Sequence, residues 1–166
     1  MGEGWASPPT RDSRVSKYMR MNNKMSALLQ GAGMTWPLKP EPGKAELPEL
    51  ELVHDCVLLK EEYERNKHAK VSDFPDRTGF ECFINHVHLP FAGTNESLVA
   101  CMAYAAALQH SLAYFAEGQR RFRVIVGIGA RDCAIRFHWI RSGETWISDN
   151  LEGYKSEAIL VLDVVE

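Results

Sequence analysis

Residues 94–118 read TNESLVACMAYAAALQHSLAYFAEG, and residues 119–140 continue as QRRFRVIVGIGARDCAIRFHWI. The first stretch predicts a long helix over 96–117. Thr94 or Asn95 supplies the N-cap oxygen, and acidic Glu96 suits the positive end of the helix. Leu98, Cys101, Met102, Ala105, Leu108, Leu112 and Phe115 recur at helical spacing as one apolar stripe, and Gly118 supplies the stop. The second stretch changes period. Residues 122–128 and 133–140 are short β-rich runs, and a turn at 129–132 joins them. A third run at 158–165 follows a polar loop. Three strands and an apolar helix need each other's greasy faces, and the short first connection forces antiparallel neighbours.

Upstream, Leu52, Val53, Cys56, Leu59 and Tyr63 recur at roughly helical spacing, which predicts a second helix over 49–68, with a strand opening at 50–59 as the alternative. Residues 74–79 read as a turn. Residues 80–89 alternate, with Phe80, Cys82, Ile84, His86 and His88 on one face, which predicts a fourth strand. The irregular stretch 31–48 is punctuated by Pro37, Pro40, Pro42, Gly43 and Pro48, and its Trp36 is expected to pack onto the body. Residues 1–24 carry Gly, Ser, Pro and scattered basic residues without apolar periodicity, so they read as a flexible tail. Met19, Met21 and Met25 leave room for a later natural start, which would make the tail an upstream extension. The expected fold is therefore α+β over 25–166, a mostly antiparallel sheet of four to five strands packed by one long helix and a second helix.

The chain is 166 residues long, 45% apolar and carries a formal net charge of -3. One sizeable core can form, and the charge argues against a dedicated nucleic-acid binder. No apolar run reaches the ~20 residues of a membrane span, and no leader-like segment opens the chain, so a cytoplasmic protein is expected. Cys56, Cys82, Cys101 and Cys133 never form a CxxC pair and read as reduced, mostly buried thiols, inert as nucleophiles. Gly127-Ile128-Gly129 lacks both the third glycine and the following helix of a phosphate loop, so it reads as part of a hairpin. No cofactor is expected.

Two constellations remain. His86 and His88 share a strand face, and with His138 they could approach one metal ion, the donor set of a small metal-assisted hydrolase. The loop 141–154 places Trp146 and Tyr154 among Glu144, Asp149 and Glu152. Paired carboxylates could do acid–base work there. Aromatic anchors among acids also make a partner-binding patch, since Trp and Tyr are enriched at interface hot spots. The last quarter of the chain is acidic beside a basic stretch, a pattern that cross-strand ion pairs also produce. A self-associating subunit, a homodimer through an exposed strand edge, is a further reading.

The segment 80–89, FECFINHVHL, and the run from Arg136-Phe137-His138 through Arg141-Ser142-Gly143-Glu144-Thr145-Trp146 to Tyr154 resemble the small bacterial immunity proteins of polymorphic and contact-dependent growth-inhibition toxin systems. The resemblance spans about residues 50–166. It implies a cytoplasmic, non-enzymatic protein that binds a cognate toxin domain and blocks its active site or substrate surface. Glu144, Trp146, Asp149, Glu152 and Tyr154 are its expected contact residues, the acids steering a basic partner in.

Overall fold

The computed structural model describes residues 18–36, 38, 46–116 and 119–165. The chain folds as α+β. A five-stranded, wholly antiparallel sheet has the order β1-β7-β5-β6-β4, and a separate hairpin pairs β2 with β3. Its strands are β1 (Met19–Met21), β2 (Leu50–Val53), β3 (Cys56–Leu59), β4 (His86–Pro90), β5 (Phe122–Ile128), β6 (Asp132–Trp139) and β7 (Ala158–Val164). The helices are α1 (Asn23–Gly31), α2 (Lys60–Arg65), α3 (Arg77–Ile84) and α4 (Asn95–Phe115).

The long helix forms where the sequence places it. The Thr94 hydroxyl accepts from the Ser97 backbone N–H, and Glu96 lies in the first turn. The stripe from Leu98 to Leu112 is buried against Val124, Val126, Ile135, Phe137, Leu160 and Leu162, which share one sheet face. By length and composition α4 could cross a bilayer, but this stripe is spent on the sheet. The three strands at 122–128, 132–139 and 158–164 match expectation within a residue. Trp36 packs against the same core. The expected stop at Gly118, and Pro37, Pro40, Pro42 and Gly43, lie outside the described residues.

Three expectations need correction. First, residues 50–59 are not helix; they form the β2–β3 hairpin, and only Lys60–Arg65 is helical. Cys56, Val57, Leu58 and Leu59 are all buried because one side of β3 faces the α4 core and the other faces Phe80 and Ile84, so no alternation survives. Its turn, His54-Asp55, holds φ of 50° and 59°, a primed turn built without the usual Asn or Gly. Second, residues 77–84 are helix, not strand, and the strand begins at His86. The Asp76 carboxylate accepts from the Gly79 N–H and sets the helix start. Third, the tail ends earlier than residue 24. Met19–Met21 pair with Leu160–Leu162, and the buried Asn22 caps α1, its Oδ1 accepting from both Met25 N and Ile159 N. The rest of the expected tail, residues 1–17, lies outside the described residues.

Candidate functional site

The sheet face turned away from α4 is where the expected site residues collect. Across it the register lays three rows: Asp163, Arg123 and His138; Val161, Ile125, Arg136 and His86; Ile159, Gly127, Ala134 and His88. The loop between β6 and β7 folds back over this face. Its Ile147 and Leu151 bury onto Ile125, Ile159 and Val161, with Tyr154 half-buried beside them.

Each of the three expected acids, Glu144, Asp149 and Glu152, is already engaged. Glu144 Oε2 accepts from the Thr78 N–H at 3.0 Å and the Thr78 hydroxyl at 2.7 Å, in the first turn of α3. Partial burial would raise its pKa, but the Thr78 bonds and nearby Arg141 and Arg77 outweigh that and hold it below the usual value. Glu152 Oε1 accepts from Asn23 N at 2.8 Å, at the start of α1. Asp149 pairs with Arg20 at 3.1 Å while remaining almost fully in solvent. The three carboxylates act as ties between the loop and two helix N-termini and β1, where their charge is favourable.

The two aromatics have a different placement. The Tyr154 hydroxyl accepts from Ser148 N at 3.0 Å, which fixes the ring. Trp146 is 44% exposed, and the Arg136 guanidinium lies over its ring, 5.2 Å from the centroid. Trp146 and Tyr154 wall a groove of about 270 Å³. Gly127 and Ala134 make its floor, and Arg136 and Glu157 bring the charges. The groove exists because two adjacent strands put their smallest residues side by side; a Cβ on Gly127 would meet Ile159 at 3.5 Å and Glu157 Oε1 at 3.7 Å. Arg136 donates to Cys82 O at a long 3.4 Å and has no carboxylate partner among the described residues. Alternation along β6 already pointed Arg136 away from the core, but nothing in the sequence said that its neighbours would be glycine and alanine.

The three histidines do not converge. The His86 and His88 rings lie 4.1 Å apart between centroids, tilted by 48°, and His88 Nδ1 lies 3.0 Å from Asp132 Oδ2. His138, 2% exposed, donates from Nδ1 to the Trp139 carbonyl. In the antiparallel register His88 stands across from Ala134, four residues and about 13 Å along the strand from His138. Among the described residues no three His, Cys, Asp or Glu side chains are grouped to hold a metal ion. Burial lowers the pKa of both His86 and His138, that of His86 to about 4, aided by Arg136 and His88. The four thiols are buried and free, and burial pushes each one up, Cys56 to about 11.

A buried polar cluster behind the site escaped sequence reading. Glu81 on α3 and Asn85, which caps its C-terminus one turn on, stand between β3 and β6. Glu81 accepts from Val57 N, Trp139 N and both terminal nitrogens of Arg141. Asn85 accepts from Leu59 N and donates to the carbonyls of Val57 and Phe137. These two side chains thus satisfy the facing edges of two strands that never pair. Burial pushes the Glu81 pKa up against the pull of Arg141 and the two N–H groups. Since every one of its partners is a donor, the carboxylate form is the one that fits.

A larger concavity, about 530 Å³, lies between the His54-Asp55 turn, α2 and α3, lined by Tyr63, Lys67, Lys70, Arg77 and Phe80. Its charges are largely matched locally, Arg77 by Asp55 and Lys67 by Glu64. The groove under Trp146 is the better candidate, because it sets a half-buried arginine that forms no ion pair among the described residues against exposed aromatic surface. No curated protein and no solved structure matches the chain. Over residues 20–166, from β1 to the final residue, it matches one family, and the chain belongs to the uncharacterized protein PM0498 family.

Proposed function

We propose that the protein is a non-catalytic binding protein of the immunity type, which docks a toxin domain on the groove walled by Trp146 and Tyr154 and covers that partner's active site or substrate surface. The observation that carries this reading is the exposed Trp146 ring, held by Arg136 at the rim of a groove. Trp, Tyr and Arg are the residues that most often anchor interfaces, and here all three stand together. The buried thiols and the separated histidines leave nucleophilic and metal-assisted chemistry without an assembled donor set among the described residues, which favours binding over catalysis. The resemblance to immunity proteins supplies the class of partner.

The test is sequencing of the neighbouring genes, then co-expression with any toxin-like domain they encode, scored by growth rescue, together with binding kinetics on the purified pair. Wild type is expected to rescue and to form a stable complex, and Trp146→Ala to lose both while melting normally. Rescue and affinity that ignore Trp146→Ala and Tyr154→Ala would overturn the assignment of this surface. An absence of any rescue would overturn the immunity role.

A further inference from the structure

Glu144, Asp149 and Glu152 are the acids expected to meet a basic partner, yet each already has a cationic or N–H partner within the chain. The groove holds one charge of each sign, Arg136 and Glu157, which sense each other without forming an ion pair. Arg20, Arg65, Arg77, Arg123 and Arg141 each have a carboxylate partner; of the described arginines without an ion pair, Arg120, Arg121, Arg131 and Arg136, Arg136 lines this groove. Burial holds its pKa below the usual guanidinium range. A half-desolvated cation with one long hydrogen bond is costly unless something outside the chain completes it.

Resting on the docking reading above, we infer that the groove receives an acidic side chain of the protein partner, its carboxylate meeting the Arg136 guanidinium. The Arg136 guanidinium carbon lies 5.2 Å from the Trp146 ring centroid and one terminal nitrogen makes the long bond to Cys82 O, and a guanidinium is the group best suited to bind a planar two-oxygen group bidentately. The small residues Gly127 and Ala134 leave room for the side chain's stem. A phosphate group fits less well. The groove holds a single cation with Glu157 beside it, too little positive charge for a dianion. Glu157 lowers affinity for the carboxylate and so tunes the site rather than building it.

The test titrates N-acetyl-glutamate N-methylamide into the full chain, followed by NMR of the Arg136 Nε–H and the Trp146 indole N–H. Saturable shifts of both are expected, about tenfold weaker with the glutamine analogue, because a charge-assisted hydrogen bond is roughly twice as strong as a neutral one. Arg136→Gln should abolish the response. Glu157→Gln should strengthen it, by about threefold, the usual size of one exposed charge pair. Equal shifts from the glutamine analogue, tighter binding of inorganic phosphate, or an affinity indifferent to Glu157→Gln would each overturn the inference. The probe needs no partner, so the two readings fail separately. A silent titration in a protein whose partner binding still depends on Trp146 sinks the carboxylate and leaves the docking surface. A carboxylate response in a protein whose partner binding ignores Trp146→Ala sinks the docking surface, and with it the partner as the source of the carboxylate.

Discussion

At the scale of single residues, the fold depends on polar groups placed where no water can reach them. Asn85 makes three hydrogen bonds to three backbone groups on two strands, fully out of solvent. Asn85→Ala should cost about 3 kcal/mol, because it strands several buried partners at 1–3 kcal/mol each, partly relieved by relaxation. Urea denaturation measures this directly, and a midpoint equal to wild type would mean that those backbone groups find other partners. His86 gives the pH dependence. Its folded pKa near 4 lies below the ordinary imidazole value, so the unfolded chain binds the proton more tightly. The contribution is fully present above about pH 6.5 and is lost as pH falls from there through 4. His138 shifts in the same direction. Melting temperature should therefore fall across that window in wild type and fall less steeply in His86→Gln. Parallel curves for the two proteins would show that His86 protonates without cost.

At the scale of elements, what could be read in advance was decided by how many faces an element buries. The α4 helix has one buried stripe and one wet side carrying Val99 and Tyr114, so its period shows. In α3, Thr78, Gly79, Phe80, Glu81, Cys82 and Ile84 are all buried, and a helix buried nearly all round has no stripe to read. Its Phe80, Cys82 and Ile84 then imitate strand alternation by accident. The site was half legible for the same reason. Trp146 and Tyr154 stand out by residue type, but the ties of Glu144 and Glu152 are to helix starts distant in sequence, which a local reading cannot supply. Asn22 is another such tie. It caps α1 and bonds the first residues of β7, so Asn22→Ala should cost about 2 kcal/mol. Removing residues 1–24 should cost more, since β1 goes with the cap and leaves the β7 edge unpaired. Thermal melting of both variants checks this. An unchanged melting temperature on truncation would mean that β1 contributes nothing to the sheet.

For the whole molecule, the loop between β6 and β7 behaves as a second layer on the sheet, laid over Ile125, Ile159 and Val161 and tied at its rim by carboxylates. That architecture separates stability from recognition. Glu144 and Glu152 serve helix starts, so their loss should lower stability by about 1 kcal/mol each before any partner is present. Asp149 is different, because its pair with Arg20 is almost wholly solvated and worth little. If steering came from the acidic rim, Asp149→Lys would slow association several-fold at low salt. With Glu144, Asp149 and Glu152 each matched by a neighbouring cation or helix start, this part of the rim carries little net field, and the association rate should change by less than about twofold. Trp146→Ala should leave that rate alone and speed dissociation, at a cost of about 2 kcal/mol or more if the ring is an anchor. Surface-immobilised partner and a salt series distinguish the two in one set of sensorgrams. A strong, salt-dependent fall in association rate for Asp149→Lys would return the recognition to the acids and remove Arg136 from its centre.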